Sequence, residues 1–319
     1  MPARSMIEIN RILCPTDLSR DSDQALRYAL ALAHAYESKL ICCYCAGGRE
    51  MPEPAAIQKS EVECAISRGS TKQLFEGALL HLLAPLSFAE LQWEGVVIEN
   101  DDIGDAIVKT AAEKAVDIIV MRSRRRPHRA AILGSTAESV CRTAPCPVLV
   151  THSDEREWVE NPVEDIALKR ILVPYDFSDH AELALKYALS FAQEYQAELH
   201  LLHVLPSHTA NDPEIAWYPI TGEAAYHKAA RRLQKAVPVE AHLWCRVKHA
   251  VSDGYPYREV LNYAEKNNID LISIGAHGAG FGMRTLFGSN VDRVLRQARC
   301  PVLVARPLKP NNHQSFEPK

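Results

Sequence analysis

The residues best suited to chemistry are glycines at fixed spacing, Gly275-x2-Gly278-x9-Gly288-Ser289, directly after the apolar run Asp270-Leu271-Ile272-Ser273-Ile274. Glycine at 275, 278, 280, 282 and 288 lets main-chain amides approach a ligand closely and permits positive φ. Ser289 opens a segment in which Val291, Val294, Leu295 and Ala298 recur at helical spacing, so free amides and a positive dipole end point toward the same loop. Such a loop is a phosphate cradle built without a lysine. It carries neither the GK[ST] of a Walker A loop nor a GxGxxG dinucleotide turn. His277 sits inside it, but no base or nucleophile accompanies this histidine and it is assigned no catalytic role. Paired carboxylates, a Ser/His/Asp set and a GxSxG elbow are all unidentifiable, so hydrolase chemistry lacks support.

A cradle of this kind needs a strand before it, a helix after it and a second strand end beside it. The second strand end is Pro174-Tyr175-Asp176-Phe177-Ser178, where Asp176 is placed to hold the start of the following helix, to touch a ligand, or to do both. The chain also repeats itself. Arg11-Ile12-Leu13-Cys14-Pro15-Thr16-Asp17-Leu18-Ser19 returns as Arg170 to Ser178, and Cys146-Pro147-Val148-Leu149-Val150 returns as Cys300 to Val304. Between these blocks Ala25, Leu26, Ala29, Ala33 and Tyr36 correspond to Ala184, Leu185, Ala188, Ala192 and Tyr195, one face of an amphipathic helix in each copy. Short apolar runs alternating with helical periodicity indicate a parallel sheet covered by helices on both faces, a doubly wound α/β fold. In the second copy strands are expected near 170–174, 199–204, 240–247, 270–275 and 302–305. The expected organisation is a first domain over 1–152, an acidic linker over 153–168, a second domain over 169–308 and a frayed tail over 309–319.

Composition narrows the classes. Lys and Arg number 36 against 40 Asp and Glu, a net charge of −4 that gives no overall basic field for nucleic acid. No apolar window approaches the roughly 18–20 residues needed to cross a bilayer, so a cytoplasmic protein without a membrane partner is expected. Nine cysteines without regular spacing do not form a disulfide framework, and Cys42, Cys43 and Cys45 read as buried thiols of one strand. No Cys/His cluster has zinc-ligand spacing, and no metal site is assigned.

Taken together, the glycine spacing, the Pro174-x-Asp176-x-Ser178 strand end and the final Cys300-Pro301-Val302-Leu303-Val304 strand closely resemble the universal stress protein family, over nearly the whole chain. The chain looks like a tandem member. The resemblance implies two tandem domains, each with a five-stranded parallel sheet. In the nucleotide-binding branch it also implies ATP, with or without Mg2+, at the carboxyl ends of the strands. Carried over by position, Pro174, Tyr175 and Asp176 would lie along the ribose and base, with Val204 beside the adenine. Gly275, Gly278, Gly288, Ser289, Asn290 and Val291 would surround the phosphates. The implied role is a sensor or regulator that hydrolyses nucleotide poorly, not an enzyme, with room for a protein partner and further dimerisation of the intramolecular domain pair. A nucleotide-independent scaffold or small-ligand stress protein is the alternative. An enzyme related to adenine nucleotide α-hydrolases is a weaker third, because no catalytic residue is found.

The first copy departs from the pattern. Aligned without gaps from Gly134-Ser135, Met121 stands at Gly275 and Arg124 at Gly278, where side chains would fill phosphate space. One nucleotide per chain is therefore expected. Ser135-Thr136-Ala137-Glu138 reads as a capping box, and Arg122, Arg124, Arg125, Arg126 and Arg129 form either an electrostatic patch or a substitute anion site.

Overall fold

The structure, a computed structural model, describes residues 7–19, 22–46, 71–83, 91–123, 134–152, 155–159, 166–206, 223–278 and 288–307. The first half runs β1 (Arg11–Pro15), α1 (Asp23–Ala35), β2 (Lys39–Ala46), α2 (Thr71–Leu83), β3 (Trp93–Glu99), α3 (Ile103–Glu113), β4 (Ile118–Arg122), α4 (Ser135–Thr143) and β5 (Val148–Thr151). The second runs β6 (Arg170–Pro174), α5 (Asp179–Tyr195), β7 (Glu198–Pro206), α6 (Glu223–Ala236), β8 (Val247–Gly254), α7 (Pro256–Lys266), β9 (Leu271–Gly275), α8 (Ser289–Gln297) and β10 (Val302–Ala305). No helix among the described residues is long and apolar enough to cross a membrane.

The two halves share one sheet of ten strands, ordered β3-β2-β1-β4-β5-β10-β9-β6-β7-β8. Within each half the five strands are parallel, in the doubly wound arrangement expected from the sequence. The halves join where β5 and β10 run antiparallel, with Val150 opposite Val302, Leu149 opposite Leu303 and Val148 opposite Val304. Leu149 meets its own repeat equivalent and Val148 and Val150 meet each other's, the pairing expected of an isologous twofold contact. Arg306, just past β10, reaches over this seam and donates to the carbonyls of Cys141, Ala144 and Arg142 at the end of α4. A cation there satisfies carbonyls that the helix leaves unpaired.

Alternate strand residues feed two cores. One contains Tyr28, Leu32, Cys42, Phe75, Ala184, Leu199 and Leu233, under α1, α2, α5 and α6. The other contains Cys43, Ile107, Met121, Val140, Val260, Ile272 and Val294, under α3, α4, α7 and α8. Cys42 and Cys43 thus point into opposite cores, and the seven described cysteines that are free thiols are all buried. The matched stripes Ala25/Ala184, Leu26/Leu185, Ala29/Ala188 and Ala33/Ala192 are buried in both copies.

Two features differ from the sequence reading. The run at 240–247 is not a strand: Val239–Leu243 forms a 3-10 turn and the strand follows at Val247–Gly254. That strand is a sheet edge, half-exposed along its length, so its Val-Lys-His-Ala-Val-Ser-Asp-Gly sequence lacks the unbroken apolar run of a central strand. The segment read as a linker is tied to both halves at Trp158 and Arg156. Trp158 is 2% exposed, its ring stands edge-on to Tyr28 at 4.5 Å, and its amide donates to the Tyr28 hydroxyl at 3.1 Å. Arg156 donates from its amide to the Arg299 carbonyl at 2.7 Å and from its guanidinium to Asn268 Oδ1 at 2.7 Å.

Candidate functional site

The sheet order reverses beside β6, between β7 and β9, and the carboxyl ends of these strands are the expected ligand end. Pro174 ends β6, and the next amide, of Tyr175, donates to the Leu202 carbonyl of β7 at 2.8 Å. Asp176 Oδ1 accepts from the Ser178 amide at 3.0 Å and from its hydroxyl at 2.6 Å. Ser178 Oγ in turn accepts from the Ala181 amide at 3.2 Å and so caps α5. Between them Phe177 takes φ +65°, a conformation rare for a bulky residue, which this bracket holds in place. Asp176 therefore acts on the helix start through Ser178 and is not itself the cap.

The glycines are explained by different neighbours. A Cβ on Gly275 would lie 2.6 Å from the main-chain carbonyl carbon and oxygen of His180, in the first turn of α5. A Cβ on Gly278 would lie 2.8 Å from Asp176 Oδ2, which puts the loop directly against the β6 strand end. Gly288 has no such crowding, its nearest neighbour being Val291 Cγ2 at 3.5 Å. It serves as N-cap of α8 and, having no side chain, supplies no side-chain cap to the first-turn amides at Ser289, Asn290 and Val291. Ser289 and Asn290 are exposed, whereas the Val291 side chain is buried. Val204 is half-buried in β7, two residues beyond Leu202, which pairs with Pro174. The structure thus gathers Pro174, Tyr175, Asp176, Gly275, Gly278 and the start of α8 at one end of the sheet, with Val204 on the neighbouring strand. Gly280 and Gly282 lie outside the described residues, as do Arg124, Arg125, Arg126 and Arg129.

In the first half the equivalent place is a cavity of about 340 Å3, lined by Asp17, Cys43, Ile107, Met121, Arg122 and the start of α4 among others. Its register corrects the ungapped alignment. Ile119 pairs with Val148 as Ile272 pairs with Val302, and Arg122 with Thr151 as Gly275 with Ala305. Asp117 and Asp270 anchor that frame, each accepting from two consecutive amides at the start of the neighbouring strand. Arg122, not Met121, therefore occupies the position of Gly275, and Met121 matches Ile274. The expected capping box is also absent, because Gly134 is the N-cap of α4 and Ser135 its first helical residue. Glu138 bonds Arg142 at 2.8 Å instead and lies 3.7 Å from Arg296 across the seam.

The sequence profile of the universal stress protein family matches residues 8–152 and again 167–306. The chain belongs to the universal stress protein family. A universal stress protein of Synechocystis is 24% identical over 315 residues, covering 93% of this chain and 99% of that one. One from Methanocaldococcus jannaschii is 30% identical over 142 residues, 44% of this chain and 84% of its own. Among solved structures, a universal stress protein from Archaeoglobus fulgidus shares the fold with a TM-score of 0.64 at 23% identity, covering 93% of this chain and 96% of that one. A putative universal stress protein from Pseudomonas aeruginosa gives 0.66 at 20% identity, over 96% of each chain. This universal stress protein is a tandem one, the profile matching twice.

Sequence reasoning missed the aromatic wall beside the second-half strand end. The Arg232 guanidinium of α6 lies 3.7 Å from the Phe177 ring centre, and the His203 ring is 4.6 Å from it. His203 Nδ1 is 2.7 Å from the Tyr175 carbonyl, and burial lowers the pKa of this imidazole against the pull of that bond. The Tyr175 hydroxyl is pushed up to about 12, first by burial and then by Glu182 at 3.2 Å. His180 and His277 stand with ring centres 5.1 Å apart across Gly275. A motif search looks along the chain, and these contacts form between elements that are far apart in it. Among the described residues no group of three or more His, Cys, Asp or Glu side chains is arranged to hold a metal.

Proposed function

We propose that this universal stress protein is an ATP-binding regulatory protein in which the second half holds the nucleotide. Pro174, Tyr175, Asp176 and Val204 take the base and ribose. Gly275, Gly278, Gly288, Ser289, Asn290 and Val291 receive the phosphates. The observation that carries this reading is the meeting of three parts: the Asp176 carboxylate, the Gly278 main chain that a Cβ would drive into it, and the side-chain-free cap of α8. Amides at a helix start and a glycine main chain are donors suited to phosphate oxygens. Mg2+, where it takes part, arrives with the phosphates. The sequence carries no recognisable catalytic motif, so turnover is expected far below the roughly 1–1000 per second of dedicated enzymes, and the role is regulatory.

One observation favours a nucleotide-independent scaffold instead. Gly275 and Gly278 each have a reason to be glycine in the chain itself, His180 and Asp176. Calorimetric titration with ATP separates the two. The expected result is one nucleotide per chain, abolished by Gly278→Arg although that change adds positive charge, because the new side chain fills the cradle. Undiminished binding by Gly278→Arg, or no binding by the unmodified protein, rejects the reading. ATP turnover at ordinary enzyme rates moves the protein to the enzyme class.

A further inference from the structure

We propose that the second half carries a surface that docks on an anionic lipid bilayer: the 3-10 turn Val239–Leu243 with the cationic cleft beside it, at the amino ends of β6, β7 and β8. This is the end of the sheet opposite the candidate nucleotide site. The lack of a spanning window bears on insertion, not on contact with a membrane surface.

The charge is concentrated here. The chain as a whole is net −4, yet from Tyr226 to Lys248 six Lys and Arg stand against Glu240 alone. On α6, Lys228, Arg231 and Lys235 fall at i, i+3 and i+7, an exposed stripe opposite the buried Ala229 and Leu233. Beyond the turn, Lys169, Arg170, Arg246, His242, Leu243 and Trp244 line an open cleft of about 770 Å3. Among the described residues neither Lys169 nor Arg246 has a carboxylate within ion-pair reach; the one acid of the cleft, Glu198, is held by Lys248 at 2.5 Å. The first half lacks these two cations. Asn10 and Gln92 occupy their places, since the carbonyls of Asn10 and Gln92 accept from Lys39 and Leu40 as those of Lys169 and Arg246 accept from Glu198 and Leu199. Lys39 there is paired with Glu94 at 2.6 Å.

Apolar tips complete the surface. Val239 and Leu243 are 80% and 86% exposed, the two most exposed large apolar side chains among the described residues, and both stand on one five-residue turn. Glu240 on the same turn opposes the cations, a single charge against Lys235, Lys169 and Arg246. A nucleic-acid backbone would meet the cations and leave both tips in water. An acidic protein would need pockets cut to match the tips. A bilayer with anionic headgroups offers both layers at once: negative charge for Lys169 and Arg246, and the acyl boundary for Val239 and Leu243. Apolar burial and electrostatic attraction add in such a contact, each Lys or Arg near the surface strengthening it about fivefold. The contact is therefore reversible and sensitive to salt.

The test is co-sedimentation of the full chain with phosphatidylcholine vesicles, with and without about one-third phosphatidylserine, at physiological and at about 0.5 M salt. Binding is expected only with phosphatidylserine and is lost at the higher salt. Lys169→Gln together with Arg246→Gln weakens it about tenfold or more. Val239→Ser together with Leu243→Ser also weakens it about tenfold or more. Lys72→Gln together with Lys109→Gln removes two exposed cations of the first half and leaves binding unchanged, which controls for net charge. Every side chain changed is exposed, so urea midpoints stay within error of the unmodified chain. Equal binding to phosphatidylcholine alone, no binding to either vesicle, insensitivity to either second-half pair, or equal weakening by the first-half pair overturns the proposal. A DNA duplex and polyglutamate are titrated in parallel: binding of either that falls with the cation pair and ignores the Val239 and Leu243 pair makes this a site for a soluble polyanion and also overturns it. Vesicle binding is measured without nucleotide and is unchanged by Gly278→Arg, so this proposal and the ATP reading fail separately.

Discussion

The two strand ends that follow Pro15 and Pro174 start from the same plan and diverge within one turn of helix. Asp17 and Asp176 each accept from the amide and hydroxyl of the serine two residues on, and Leu18 and Phe177 between them take φ of +57° and +65°. Beyond that bracket, α5 continues directly into a first turn packed against Gly275, whereas α1 begins at Asp23 and Arg122 occupies the strand end. One residue type on β4 or β9 thus goes with the start of a helix on the other side of the site. The difference teaches that a glycine after a strand can be required by a neighbouring helix as much as by a ligand.

The largest expected effect comes from giving the second half the residue of the first. Gly275→Arg drives a side chain into the His180 main chain, which cannot swing aside, and costs on the order of 3–5 kcal/mol. The measurement is the urea midpoint, together with hydrogen exchange of the amides from Asp179 to Ala181. Protection should be lost there first, as α5 gives up its first turn to resemble α1. A midpoint within error of the unmodified protein would show that the glycine is not what permits the turn.

Much of this comparison was legible beforehand. The repeat, the doubly wound fold, the strand end at Pro174 and the helix after Gly288 all follow from periodicity and spacing, because buried parallel strands and amphipathic helices leave strong local patterns. The register at β4 was misplaced by one residue because the alignment was anchored on Gly134-Ser135 and carried backward without a gap. Val116-Asp117-Ile118-Ile119 against Ile269-Asp270-Leu271-Ile272 holds the right frame, since both aspartates must meet the same pair of amides. The edge strand β8 and the Arg232–Phe177–His203 wall were not legible: an edge strand has little apolar pattern, and the wall forms only when distant elements pack.

A smaller effect separates the halves by pH. His200 in β7 is 1% exposed, while its repeat equivalent Ile41 carries no titratable group. The ring faces the Tyr263 hydroxyl at 3.0 Å and Glu198 at 3.4 Å, with Lys248 bonded to that carboxylate. Burial lowers its pKa to about 4, Glu198 working in the opposite direction and Lys248 and Arg170 in the same one. A histidine lowered in the folded state stabilises the fold above its unfolded pKa of about 6.5 and loses that contribution as pH falls toward 4, here about 3 kcal/mol at most. Urea midpoints across this window should fall for the native chain and fall distinctly less for His200→Ile. Parallel curves would place the acid sensitivity elsewhere.

The smallest contrast concerns the two serines of the bracket. Ser178 donates to Asp176 and also accepts from the Ala181 amide, so Ser178→Ala removes both the bracket and the cap of α5. Ser19 donates to Asp17, but the N-cap position of α1 is Ser22, which makes no side-chain cap bond, so Ser19→Ala removes the bracket alone. A side-chain cap contributes about 1 kcal/mol, which is the expected excess cost of Ser178→Ala over Ser19→Ala in urea denaturation. The sign follows from the helix starts and not from burial, since both serines are half-buried. Equal costs would mean that the Asp–Ser bracket carries the whole effect in both halves. The delayed start of α1 would then be a difference of outline without energetic weight, and the exclusion between a strand-end side chain and a packed first turn would rest on Gly275→Arg alone.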